Sequence, residues 1–93
     1  MENLCKFINS TERIDSSAKV REFFDLLIQA KVNFHPDDDF NCYVNLITGE
    51  RTFTDDIAER LNDLMWQCSA FCGQEDLDIY ELALNAFRKN FKA

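Results

Sequence analysis

Residues 54–73 read TDDIAERLNDLMWQCSAFCG. Within them Ile57, Leu61, Leu64, Met65, Cys68 and Phe71 or Cys72 recur at i, i+4, i+7 spacing, the period of an amphipathic helix. Thr54 stands where an N-cap belongs, and Asp55 and Asp56 fall in the first turn, where carboxylates meet the positive end of the helix dipole. Gly73 suits the residue just past the last turn. The spacing therefore predicts a helix over 55–72. Its opposite face carries Asp55, Asp56, Glu59 and Asp63. Trp66 falls beside the apolar stripe, a place that suits a core margin or a dimer interface; the interface is favoured because Trp is enriched there.

Downstream, Asp78-Ile79-Tyr80-Glu81 matches a capping box with Asp in the cap position. Ile79, Leu82, Ala83, Ala86, Phe87 and Phe91 continue at helical spacing, which predicts a helix over 79–91 with Arg88, Lys89 and Lys92 at its C-terminal end. Upstream, Ser16 and Ser17 precede Val20, Phe23, Phe24, Leu27 and Ala30 or Lys31, which predicts a helix over 16–31. The first eight residues suit a short helix or a strand, with Leu4, Phe7 and Ile8 as a weak helical face. Val32-Asn33-Phe34 leads out of the helix over 16–31, and His35-Pro36 bars its continuation, because the residue before proline disfavours the α region. Asp37-Asp38-Asp39 reads as a solvated turn. Phe40 to Ile47 mixes aromatic and β-branched residues and suits a strand. Thr48-Gly49-Glu50 then turns the chain, and Arg51-Thr52-Phe53 returns as a second strand. The expectation is one α+β domain over 1–93: three helices and a small antiparallel β-hairpin.

Composition agrees with a packed domain. The chain has 93 residues, 46% of them hydrophobic, with nine Phe, two Gly and one Pro. That is too apolar for a disordered acidic tail, and few breakers interrupt the elements. A core this small makes a homodimer a natural supplement. There is no apolar run of membrane-spanning length, and the start, Met1-Glu2-Asn3-Leu4-Cys5, does not read as a secretory signal. The expected location is a cytoplasm, with Cys5, Cys42, Cys68 and Cys72 reduced.

Charge is the strongest functional signal. The net charge is −7, unevenly spread: residues 1–36 are neutral, 37–81 carry −10, and 82–93 carry +3. Such a block attracts basic surfaces and repels nucleic acid. Catalytic readings are weak by comparison. His35, the only histidine, sits beside a proline, and nothing pairs it with a nucleophile such as Cys42 or Cys68. Cys68 and Cys72 share a helix face, but the short cysteine knuckle of structural zinc sites is absent, so packing is the better account. Asp39, Asn41, Tyr43, Asn45 and Glu50 have EF-hand-like spacing, yet Val44 stands where that loop needs Gly. No P-loop, dinucleotide-binding or zinc-protease motif is present. The chain is expected not to be an enzyme and to use no metal or cofactor.

On the helix over 55–72, carboxylates one turn apart are separated by about 6 Å along the axis. Phosphates of one B-DNA strand are separated by about 3.4 Å. An acidic helix face joined by a second acidic segment approximates a row of phosphates. The candidate partner-binding residues are Asp37, Asp38, Asp39, Asp55, Asp56, Glu59 and Asp63, with Glu75, Asp76 and Asp78 as a second tier. A solvated acidic face is the plain alternative.

Val20-Arg21-Glu22-Phe23-Phe24-Asp25-Leu26-Leu27, Asn33-Phe34-His35-Pro36-Asp37-Asp38-Asp39-Phe40, Tyr43-Val44, Thr48-Gly49-Glu50, Phe53-Thr54-Asp55-Asp56 and Asp78-Ile79-Tyr80-Glu81 carry a resemblance. Together they resemble the small Arn anti-restriction proteins of T-even-type phages, over nearly the whole chain. That resemblance implies an acidic, dimeric DNA mimic. It implies binding to McrBC, the host's modification-dependent restriction enzyme, by occupying its DNA-binding site, with no catalytic residues. Host nucleoid proteins are further candidate partners; direct nucleic-acid and membrane binding are not expected. The basic Arg88, Lys89 and Lys92 depart from a purely acidic mimic. The rival expectation is a small adaptor that takes a partner helix in an apolar groove between the helices over 55–72 and 79–91.

Overall fold

The structure, a computed structural model, describes residues 2–44 and 47–91. Among them the ordered elements are four α-helices and one 3-10 turn: α1 (Glu2–Ser10), α2 (Ser17–Gln29), the turn Phe40–Cys42, α3 (Asp55–Gln74) and α4 (Ile79–Asn90). The ambiguous N-terminal segment is thus a helix, and Leu4, Phe7 and Ile8 are its buried face.

The ends of the helices follow local chemistry. Ser16 caps α2 by accepting a hydrogen bond from the Lys19 amide. Asp78 caps α4 by accepting from the amides of Tyr80 and Glu81. Thr54 occupies the N-cap of α3 in extended backbone, but its side chain makes no cap bond. Gly73 is not the stop. The helix runs through it to Gln74, and Asp76 takes the left-handed turn at φ 54°. The Leu77 amide then bonds back to the Cys72 carbonyl at 2.8 Å. Asp tolerates this region better than most residues with a Cβ.

Among the described residues the expected β-hairpin is absent, and the fold they form is all-helical, not α+β. Among the described residues there is no strand, only an isolated antiparallel bridge between Val44 and Arg51; Asn45 and Leu46, inside the expected first strand, lie outside the described residues. The reason is visible in Phe40 and Tyr43. A strand sends residues three apart to opposite faces, whereas a 3-10 turn, with three residues per turn, puts them on one side. Here the Phe40 and Tyr43 rings are 5.0 Å apart, and Phe53 lies 6.0 and 6.1 Å from them. Phe40 and Phe53 are thereby buried, which an isolated two-stranded ribbon would not achieve.

A row of phenylalanines ties the helices together. Phe7 of α1 stacks on Phe23 of α2, and Phe24 meets Phe34, which stacks on Phe87 of α4 at 5.2 Å. The apolar stripe of α3 (Ala58, Leu61, Leu64, Met65, Cys68, Cys72) closes the core. Polar latches finish the packing. Asp25 of α2 accepts from Lys89 at 2.9 Å and from the Asn90 amide group at 3.0 Å. No helix of the described residues is long and apolar enough to cross a membrane.

Candidate functional site

α3 spans 20 residues, about 30 Å at 1.5 Å per residue, and its carboxylates occupy the N-terminal half, from Asp55 to Asp63. What joins other acidic segments to it is Asn62, at the margin between the acidic and apolar faces. Its side-chain oxygen accepts from the Phe40 amide at 2.9 Å, and its NH2 group donates to Asp39 at 2.9 Å. One residue thus clamps the Asp37–Asp39 loop onto α3. Asp39 also accepts from the Asn41 amide at 2.9 Å. That backbone bond, and then the Asn62 amide, hold the Asp39 carboxyl below its ordinary value.

Two tyrosines fix the rest of the loop. The Tyr43 hydroxyl donates to Asp38 at 2.8 Å and accepts from the His35 amide at 3.4 Å. Tyr80, in the first turn of α4, donates to the Asp37 carboxylate at 2.9 Å, and its ring lies 5.7 Å from that of His35. Burial, then the Asp38 bond, pushes the Tyr43 phenol above its ordinary value; the Asp37 bond does the same to Tyr80. Since Asp78 caps the helix that carries Tyr80, the α4 N-terminus is docked against the same loop.

The ten candidate carboxylates therefore divide. Asp37, Asp38 and Asp39 line a hollow that Asn62 and Trp66 of α3 also line. Asp63 and Glu75 line a second hollow on the other flank of Trp66, where the structure adds Glu12 and Asp15. Asp56 and Glu59 are exposed on α3 without an ion pair to another described residue. Asp55 is partly neutralised by Arg51, whose guanidinium also reaches Asn41 at 2.7 Å. Asp63 is paired with Arg60 at 3.1 Å and accepts from Gln67 at 3.0 Å. Asp39 and Asp78 spend much of their acceptor capacity on backbone amides. Asp76 is exposed in the turn after α3.

Sequence reasoning missed the organisers: Asn62, Tyr43, Tyr80, Arg60 and Gln67. Arg60 donates to the carbonyls of Ile8 and Thr11 at 3.0 and 2.7 Å, and Gln67 accepts from the Ile14 amide at 2.9 Å, so α3 holds residues 8–14 beside its acidic face. Asn62 did leave a signal. It is a poor helix former at the middle of a long helix, where such a residue is explained by what its amide binds.

His35 and Cys42 are exposed, whereas Cys68 and Cys72 are buried in the core. Burial pushes the Cys68 thiol up to about 12, and it raises Cys72 as well, with Asp78 adding to the effect. Among the described residues no group of three or more His, Cys, Asp or Glu side chains is arranged to hold a metal ion. An apolar hollow lies between α2 and α4, lined by Ile28, Val32, Phe87 and Phe91, with Phe91 70% exposed.

No family model, curated protein or solved structure matches the chain.

Proposed function

We propose that this chain is a DNA mimic: a phage protein that inhibits a host DNA-binding protein by laying carboxylates where that protein expects phosphates. The observation that carries this reading is the Asn62 clamp, which joins the Asp37–Asp39 loop to the acidic face of α3. Two acidic segments remote in sequence then act as one surface, and a DNA-binding cleft meets it with its own Lys and Arg. The mechanism is steric and electrostatic; no bond is made or broken. The resemblance to Arn proteins names McrBC as the target, a bacterial cytoplasm as the setting and a homodimer as the working form.

The test is cleavage of methylated duplex by McrBC with increasing amounts of this protein, repeated across salt concentrations. Inhibition is expected, and it should weaken steeply as salt rises. The variant Asp37→Asn, Asp38→Asn, Asp56→Asn, Glu59→Gln keeps oxygen acceptors for Tyr80 and Tyr43 while removing four charges, and it should not inhibit. Full inhibition by that variant, with native circular dichroism, would remove this face from the mechanism.

The adaptor reading draws on a different observation, the apolar hollow between α2 and α4 with its exposed Phe91. That groove is formed with α2, not between α3 and α4 as the sequence suggested. Binding there would be insensitive to salt.

A further inference from the structure

Trp66 is the only tryptophan of the chain, and it is 70% exposed on α3, three residues past Asp63. It contributes little to the core, so its exposure needs another account. Around the helix axis it lies on the same side as Glu59 and Asp63, at about 100° per residue. It also forms the shared wall of the two acidic hollows: Asp37, Asp38 and Asp39 on one flank, and Asp63, Glu75 and Glu12 on the other. Among the described residues Arg13 is the one basic residue lining either hollow.

An indole wall between carboxylates is a specific chemical environment. Its π-face attracts a cation, and guanidinium does this while lying flat on the ring. The planar fork of the same guanidinium can then bond a carboxylate at the ring's edge. A lysine ammonium is more strongly hydrated and has no planar face to stack. Phosphates alone offer no such ring, but nucleic acid does, in its bases, and proteins meet unstacked bases with arginine and aromatic planes.

We infer that Trp66 is the anchor of the partner-binding face and takes an arginine side chain of a basic protein surface, standing in for a base where the carboxylates stand in for phosphates. This rests on the mimicry reading and deepens it: charge supplies the attraction, and Trp66 selects arginine over lysine. It also assigns Trp66 to the foreign partner and not to the dimer contact expected from composition.

The experiment needs no knowledge of the target. Fluorescein-labelled nona-arginine and nona-lysine are titrated with the full chain at physiological salt, followed by anisotropy and by the Trp66 emission. Nona-arginine should bind at least three- to tenfold more tightly and should quench Trp66. Trp66→Leu should abolish that preference while leaving the nona-lysine affinity within twofold, and Trp66→Phe should retain most of it. Equal affinities for the two peptides, or a preference that survives Trp66→Leu, would overturn the inference. So would emission from the free protein that is blue-shifted and protected from acrylamide at working concentration, because a second copy would then cover the ring. The two readings separate cleanly. Arginine preference without McrBC inhibition supports the Trp66 site and removes that target. McrBC inhibition without arginine preference overturns the Trp66 site and leaves a mimic that works through phosphate substitution alone.

Discussion

Replacing Asn62 tests whether the acidic surface works by position or by charge alone. In Asn62→Ala the Phe40 amide loses its side-chain acceptor, a bond of 2.9 Å in a part-buried place. An orphaned donor there costs about 1–2 kcal/mol, the lower part of the usual range because burial is partial. Alanine is the better helix former by about 0.5 kcal/mol, so the net loss is about 0.5–1.5 kcal/mol. For a domain of this size that lowers Tm by about 2–12 °C. The Asp39 carboxyl, depressed by the Asn41 amide and then by Asn62, should move back up. A depressed carboxyl lends stability above its unfolded pKa and loses it as pH falls through the folded value, so the acid limb of the stability curve should flatten in the variant. Thermal melts at neutral and acid pH read both effects. Asn62→Asp sharpens the test. It keeps an acceptor for Phe40 but sets a carboxylate against Asp39, at the place of a 2.9 Å bond, while adding one negative charge. If net charge governs inhibition, this variant inhibits better than the parent; if the placement of the loop governs, it inhibits worse. Parental stability and parental inhibition in Asn62→Ala would refute the clamp.

Arg60→Ala should cost about 1–3 kcal/mol, because it strips the Ile8 and Thr11 carbonyls of their guanidinium donor; amide exchange should speed up in α1 and leave α4 unchanged. The two tyrosines should both titrate above their ordinary value in a spectrophotometric titration, and Asp37→Asn should bring Tyr80 down without moving Tyr43. A raised phenol pKa lends stability that is complete below the unfolded value and lost as pH rises through the folded one, so the alkaline limb of the stability curve should steepen there. With Ellman's reagent Cys42 should react fastest, and Cys68 and Cys72 only on unfolding, since both are buried and carry raised thiol pKa values.

The difference between α4 and the Phe40–Phe53 segment explains what could be read in advance. The start of α4 is set by Asp78 bonding amides two and three residues away, so its code is local. The Phe40 segment has aromatic and β-branched residues that suit a strand taken alone. Its conformation is settled by Asn62, twenty-two residues downstream, and by the packing of Phe40, Tyr43 and Phe53 on one another. Propensity in strands is largely a statement about neighbours, and these neighbours were not in the window. The end of α3 misled for a smaller reason: Gly73 suits a stop, but Asp76 could take the left-handed turn and let the helix run on.

By itself, the sequence determined the three longer helices, much of their buried face though not the exposure of Phe91 or the burial of Ala58, and the concentration of negative charge in residues 37–81. Each follows from periodicity, caps and composition within a few turns of chain. Only the tertiary structure decided that the acidic loop lies on α3 and that Trp66 stands exposed between two acidic hollows. Those outcomes depend on hydrogen bonds and ring contacts between segments tens of residues apart. Such pairings become definite only when burial of the phenylalanine core brings the segments together.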